Sequence, residues 1–296
     1  MKKKSFFLII SLCSLLCSLQ PSYSQVNDNL IFSFDQFHLN TQSFAPSLID
    51  TTSKINLILG DRSYKGVYNG INARFFQVNY LPTTSIKNQH HSIGVQFYQS
   101  NMGQYIRTNT VLGNYGFRIA ISKQLALTSG VNIGYKSMIL DPANVGGGGT
   151  SNVLSSSLGI GLISKKLTLL IGYKDFLNQK LKYNQFEVST PVSYNFYLNY
   201  LKRLHENWDL FFYMLGEFDN HNEKNYRATV SCKWKNELEL GTGYRMDKGT
   251  FALLGISNIE WQAVTFAANL SYLVIPNLRL QTIPNQVVEL TLKVGY

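Results

Sequence analysis

The chain has 296 residues, a formal net charge of +10, only 15% charged residues, and 18 each of Tyr and Phe. So many aromatics exclude a disordered chain, and so few charges are untypical of a cytosolic enzyme. The length allows one large domain or two ordinary ones.

The first element is a leader. Lys2, Lys3 and Lys4 precede an apolar run from Phe6 to Leu19, and small residues at Ser22 and Ser24 frame a cleavage site. Residues 1–24 are therefore read as a signal peptide cut between Ser24 and Gln25. A retained helical anchor fails on length, because a span needs about 20 apolar residues. Lipoprotein processing at Cys13 or Cys17 is disfavoured by the bulky Leu12 and Leu16 that precede them. Cleavage leaves Cys232 as the only cysteine, which rules out an internal disulfide or a cysteine zinc cluster.

Residues 25–52 do not alternate cleanly. Three placements stay open for them: a plug in a lumen, a segment lying across its periplasmic mouth, or a disordered lead.

From residue 53 onward the dominant signal has a period of two, the mark of strands with two different faces. In 192–200, Val192, Tyr194, Phe196, Leu198 and Tyr200 alternate with Ser193, Asn195, Tyr197 and Asn199. In 226–235, Tyr226, Ala228, Val230, Cys232 and Trp234 alternate with Arg227, Thr229, Ser231, Lys233 and Lys235. Such segments fall near 54–62, 70–80, 91–99, 105–121, 124–137, 152–163, 166–174, 190–201, 206–217, 224–235, 237–246, 249–257, 260–273 and 286–296, about fourteen strands. The segment at 206–217 is poorly two-faced, since Phe211, Phe212, Tyr213 and Leu215 are all apolar.

A soluble sandwich also alternates. Two features decide for a transmembrane antiparallel β-barrel of the outer membrane, an all-β fold over residues 53–296. The runs have the ~9–11 residues that a tilted strand needs to cross a bilayer. The polar face is rich in Gly, Ser, Thr, Asn and Tyr and poor in charge, unlike a water-facing surface. Tight connections at Ser122-Lys123, Ser164-Lys165, Arg203 to Glu206, Asn236 and Asn258-Ile259 alternate with longer ones at Ser137–Ser151, Asp175–Ser189 and Val274–Asn285. Short periplasmic turns and long outer loops are typical of such barrels. The long Leu81–His90 connection and the short Met246-Asp247-Lys248 connection depart from this rule.

The last strand, VVELTLKVGY, places Val288, Leu290, Leu292, Val294 and Tyr296 toward lipid and Glu289, Thr291, Lys293 and Gly295 toward the lumen. It is expected to pair with the first strand and close the barrel. Tyr296 resembles the terminal aromatic that outer-membrane insertion machinery reads as an assembly signal.

Little in the chain points to chemistry. His90 and His91 are adjacent, so they face opposite sides of a strand and cannot share an ion; a loop or rim role fits better. The Gly146–Gly149 run lacks the Lys-Ser/Thr of a phosphate loop. The sequon Asn269-Leu270-Ser271 lies inside a predicted strand. No strand-embedded histidine stands beside a serine partner, so neither an enzyme nor a cofactor or metal site is expected. Lys233, Lys235, Arg227 and Arg245 belong to the lumen face or its rim, where they either attract an anionic cargo or pair with Glu217, Glu237 and Glu239. The dispersed basic residues give no nucleic-acid site.

The stretch FHLNTQSFAPSLID, with Ala45-Pro46-Ser47, resembles the Asn-Pro-Ala-type motif of the PorP/SprF family of the Bacteroidota type IX secretion system. GDRSYKG places Arg62 and Tyr64 where that family has Arg and Trp. The units SKQLALTSGVNIGY and SKKLTLLIGY and the closing strand are similar to its strand-turn-strand repeats. The resemblance implies a non-enzymatic outer-membrane component that helps to secrete, bind or anchor cargo, gliding adhesins in some species. Its partners would be cargo C-terminal domains, other secretion components and outer-membrane lipid. The barrel alone would also fit a channel for small molecules, with Tyr197 and Tyr213 along its path.

Amino-terminal sequencing of the protein from outer membranes is expected to start at Gln25; a start at Met1 would sink the leader assignment.

Overall fold

The computed structural model describes residues 36–65, 70–82, 88–103, 106–140, 149–177, 180–182, 187–189, 192–220, 224–246, 249–275 and 285–296. The leader with its Ser24/Gln25 junction, Gly146–Gly148, His221 and parts of the long connections lie outside these residues.

The strands are β1 (Ile55–Lys65), β2 (Asn72–Tyr80), β3 (Gln89–Met102), β4 (Ile106–Ser122), β5 (Leu125–Leu140), β6 (Gly149–Ser164), β7 (Leu167–Lys174), β8 (Lys180–Lys182), β9 (Glu187–Ser189), β10 (Ser193–His205), β11 (Trp208–Asp219), β12 (Lys224–Trp234), β13 (Leu238–Arg245), β14 (Gly249–Trp261), β15 (Val264–Ile275) and β16 (Asn285–Gly295). Fourteen of them form one closed antiparallel barrel, and β8 with β9 makes a separate hairpin. Each of the fourteen expected segments is one barrel strand. No helix among the described residues is long and apolar enough to cross a membrane.

Burial is inverted relative to a water-soluble protein. Gln96, Asn132, Arg227, Glu239 and Thr229 are fully buried, whereas Ile93, Ile160, Leu240 and Tyr135 are exposed. The polar members of each alternating strand point inward and the apolar members point out, as a bilayer-embedded barrel requires. All three tryptophans, Trp208, Trp234 and Trp261, stand on the outer surface at one end, with Trp208 and Trp234 direct cross-strand partners. Aromatic rings with one polar atom favour such an interfacial belt. Toward the other end an ion pair from Arg74 Nε to Asp61 Oδ1 at 2.7 Å lies on the outer face.

The Trp end carries the short reversals at 123–124, 165–166, 206–207, 235–237 and 262–263, and by the usual rule it is periplasmic. Lys235 and Asn236 have φ of 48° and 59°, and Glu237 N donates to Trp234 O, which makes a type I′ turn matched to strand twist. One expected turn is a different feature. Asn258-Ile259 is a bulge inside β14, with Asn258 at φ 55°, and the chain reverses at Gln262-Ala263 instead. Asparagine tolerates the left-handed region, and the extra residue flips the alternation so that Ile259 and Trp261 face out. Ser257 Oγ and Asn258 Nδ2 each donate to Asn236 O at 2.9 Å, tying the bulge to the neighbouring turn.

At the opposite end the β8–β9 hairpin folds inward. Leu181 of β8 is buried among Met138 and Val153, both on the inner wall. The seam between β1 and β16 runs ten residues, from Asn56 opposite Gly295 to Lys65 opposite Gln286. Ile55 and Tyr296 then exchange both main-chain hydrogen bonds at 2.9 Å. Leu290, Leu292 and Tyr296 are exposed while Glu289 and Thr291 are buried, the expected facing of this strand.

Removing Tyr296 takes away the last main-chain pair of the seam and its outward ring. Membrane levels of folded protein are expected to fall further than after deletion of any outer loop; equal levels by heat-shifted gel mobility would refute this.

Candidate functional site

Barrels of about 8 strands are filled by their own inward side chains, whereas about 16–18 leave an aqueous channel. A barrel of fourteen strands has room to spare, and here residues 36–52 occupy it. Side chains of the inner wall contact these residues directly. The plug is the FHLNTQSFAPSLID stretch preceded by Gln36.

The plug has almost no regular structure of its own. Thr41–Ser43 form one 3-10 turn, closed by Phe44 N donating to Thr41 O at 3.3 Å, and Ala45 N donates to the same carbonyl at 2.9 Å. Gln42 is its hub: Nε2 donates back to Leu48 O at 2.7 Å, while Oε1 accepts Gln77 Nε2 at 2.5 Å and Asn114 Nδ2 at 3.2 Å. Other wall side chains hold main-chain carbonyls. Asn132 Nδ2 donates to Gln42 O at 3.1 Å, Asn195 Nδ2 to Phe44 O at 3.2 Å, and Thr128 Oγ1 to Ser47 O.

A row of glycines makes this close approach possible. Gly116, Gly130, Gly159 and Gly172 of β4 to β7 are successive cross-strand partners on the inner face. A Cβ on Gly130 would lie 2.2 Å from Pro46 O, and one on Gly172 2.0 Å from Phe44 O. On Gly159 it would stand 3.0 Å from Pro46 Cδ. Glycine is required because backbone lies on backbone.

Beside the row is an apolar pocket of Leu170, Tyr197, Tyr213 and Leu215, which takes Phe37, Phe44 and Ala45. Phe37 meets the Tyr197 ring edge-on at 6.1 Å between centroids, and Phe44 lies at 5.6 Å. Burying each Phe contributes about 1.5–3 kcal/mol. This pocket explains the weak two-facedness of β11: its inner face needs Phe211, Tyr213 and Leu215 because apolar plug residues cover it. Tyr197 and Tyr213, expected to line a path, are instead sealed beneath the plug.

The two ends of the plug carry charge. At the periplasmic end Asp50 pairs with Lys293 and accepts from Thr52, and Arg118 Nη1 donates to Thr51 Oγ1 at 3.3 Å. Burial would raise the Asp50 carboxyl, but Lys293 and the Thr52 hydrogen bonds outweigh it and hold it below its usual value. Deeper in, Gln36 N donates to Glu289 Oε1 at 2.8 Å, and Glu289 is the cross-strand partner of Arg62. Arg62 is fully buried with its guanidinium 5.0 Å from the Tyr64 ring centroid. His38 stacks on Tyr213 at 4.5 Å, with Nε2 4.0 Å from Glu239 Oε1. Burial pushes its imidazole down to about 4, against the opposing pull of Glu239 and with help from Lys233. His38 is therefore neutral near pH 7, and its share of plug docking weakens as pH falls from about 6.5 toward 4.

Of the basic residues placed in the lumen by sequence, Arg227 pairs with Glu217 at 2.7 Å and Lys233 with Glu239 at 3.1 Å. Arg245 is buried inside, and Lys235 sits at the rim, 4.7 Å over the Trp234 ring. His91 faces outward, where Nδ1 lies 2.7 Å from Tyr115 OH, away from any other histidine partner. Gln42 and the glycine row went unnoticed in the sequence. The available signal was a glycine at mid-strand on the polar face of four consecutive strands.

A family model described as type IX secretion system membrane protein PorP/SprF matches residues 28–291. No curated protein matches the chain. Among solved structures, the Ralstonia pickettii toluene transporter TbuX is similar at 10% identity over 81% of this chain and 88% of that one, with a TM-score of 0.54. The Pseudomonas putida toluene transporter TodX is similar at 11% identity over 93% and 94%, with a TM-score of 0.51. At such identities the likeness concerns the barrel fold alone.

Gly130→Ala and Gly172→Ala place a methyl group against plug backbone, whereas Gly113 faces outward with its nearest neighbour 3.7 Å from a Cβ. Overpacking of this kind costs roughly 1–3 kcal/mol, so protease accessibility of residues 36–50 is expected to rise about tenfold in the first two variants and not in Gly113→Ala. Equal digestion of all three would show that the row does not seat the plug.

Proposed function

The chain belongs to the PorP/SprF family of type IX secretion system membrane proteins, and from that premise we propose that it helps to secrete, bind or anchor cargo at the cell surface. It does so as a non-enzymatic outer-membrane component, and gliding adhesins are among the cargoes envisaged. The supporting observation is the filled lumen. With residues 36–52 seated across the barrel, the surface left for another protein is the loop end, where β4, β5 and β6 reach 16 or 17 residues and the β8–β9 hairpin folds over the mouth. The contact surface proposed is Ser137–Ser151, Asp175–Ser189 and Val274–Asn285, which takes a cargo C-terminal domain. Other secretion components approach from the membrane or the periplasm, and the leader is removed between Ser24 and Gln25 on the way out.

The family's two local motifs fit this reading. Ala45-Pro46-Ser47 rests on the glycine row, and Arg62 with Tyr64 stands inside the barrel beside Glu289, where Gln36 is held.

A channel for small molecules is the second reading, favoured by the barrel likeness to proteins named as toluene transporters. It requires the plug to move, because Tyr197 and Tyr213 lie under Phe37, Phe44 and His38.

Comparative surface proteomics of a deletion strain separates the two. Loss of one large exported protein with unchanged solute uptake is the expected result. An unchanged surface proteome with altered permeability would overturn the secretion reading and support the channel.

A further inference from the structure

The plug is bound in an unusual way for a permanent part of a protein core. Three of its wall donors grip main chain: Asn132 Nδ2 holds Gln42 O, Asn195 Nδ2 holds Phe44 O and Thr128 Oγ1 holds Ser47 O. Contacts of that kind do not depend on which residue supplies the carbonyl. The glycine row is likewise a strip with room for a bare backbone, laid across four strands. Side-chain identity is read at three places: the pocket of Leu170, Tyr197, Tyr213 and Leu215 that accepts two phenylalanines seven positions apart, the wall amides of Gln77 and Asn114 on Gln42 Oε1, and Lys293 on Asp50.

The seat is also incompletely used. Asn132 and Asn195 are fully buried, and each leaves its carboxamide oxygen without a partner. An amide side chain that offers a donor and an acceptor matches the paired C=O and N–H of an extended strand, yet the plug engages only the donor. On the plug, both ring nitrogens of His38 and the Ser47 hydroxyl are buried without a hydrogen bond. Unmet buried groups lower the affinity of an occupant for its site. Cys232 is free, so among the described residues no disulfide fixes the plug to the wall, and its covalent link to the barrel is the peptide chain through residues 51–54 into β1.

We infer that the inner wall of β4 to β7, β10 and β11 is a binding site for a turn-containing peptide, and that residues 36–50 are its resident, displaceable occupant. The ligand class is a segment with two aromatic residues at the spacing of Phe37 and Phe44, a carboxamide side chain at the place of Gln42, a kinked or proline-containing stretch near Pro46, and a carboxylate at the place of Asp50. Applied to the secretion reading above, on which this last step rests, the displacing peptide is a stretch of exported chain. The site turns cargo engagement into plug release, since both compete for the same carbonyl-reading amides.

The test uses the full-length protein with a specific protease site inserted between Thr52 and Ser53, folded in detergent and then cut. A fluorescent synthetic peptide of residues 36–50 is added and its anisotropy followed. Exchange into the cut barrel is expected, with at least about tenfold weaker binding for the Phe37→Ala/Phe44→Ala peptide. A peptide that keeps Phe37, Gln42, Phe44, Pro46 and Asp50 but changes the remaining residues is expected to bind as well as the native one. Asn132→Leu/Asn195→Leu in the barrel, checked for heat-shifted mobility, is expected to weaken both peptides. Three results would overturn the proposal: a cut plug that never exchanges, equal binding of a scrambled peptide, or no binding to a barrel shown to be folded. The readout contains no cargo and no secretion step, so failure here leaves the secretion reading intact, and the reverse also holds.

Discussion

Main-chain N–H and C=O groups inside a bilayer find no water, so each must be paired within the protein. For a sheet that condition is met only by closure, and here closure is the pairing of β1 with β16 along ten residues and one further exchange between Ile55 and Tyr296. The rest of the architecture follows from that ring. Once the strands form a cylinder, side chains alternate between lipid and lumen, and every residue must suit one of two very different solvents. The outward row from Val288 to Tyr296 and the inward row from Val287 to Gly295 are the two answers on a single strand.

Closure at fourteen strands creates a second problem. The ring is too wide for its own side chains to fill and is lined with Asn, Gln, Thr, Ser, Arg and Glu. Burying charge without a partner is costly, and the interior meets this with short-range pairs such as Arg227–Glu217 and Lys233–Glu239. The remaining space is taken by the plug, and its seat shows how a strand wall accommodates a foreign backbone. Glycines clear the way, amides from adjacent strands catch the carbonyls, and one apolar pocket fixes the register through Phe37 and Phe44.

Much of this was legible from residues alone, since period-two alternation is a local property of the chain. All fourteen barrel strands, the facing of the last strand and the inward facing of Arg227, Lys233 and Arg245 followed from it. The errors came where a local rule met a competing local rule. At Asn258 a residue suited to a turn serves a bulge, because the strand has to continue two residues further to bring Trp261 to the belt. At β11 the alternation blurs because its inner face packs against apolar plug residues rather than water.

The sequence by itself determined the class of fold, the number of strands and which side chains face out. These depend on neighbours two residues apart and on the polarity of the medium each face meets. Only the tertiary structure decided where residues 36–52 go and what holds them. Gly116, Gly130, Gly159 and Gly172 are 14, 29 and 13 positions apart in succession, and become one surface only when registry aligns β4 to β7. Gln42 likewise gains its partners Gln77, Asn114 and Asn132 from three strands that closure brings around it. A site made of such long-range neighbours leaves no periodic trace along the chain, because its geometry is written in strand register rather than in sequence spacing.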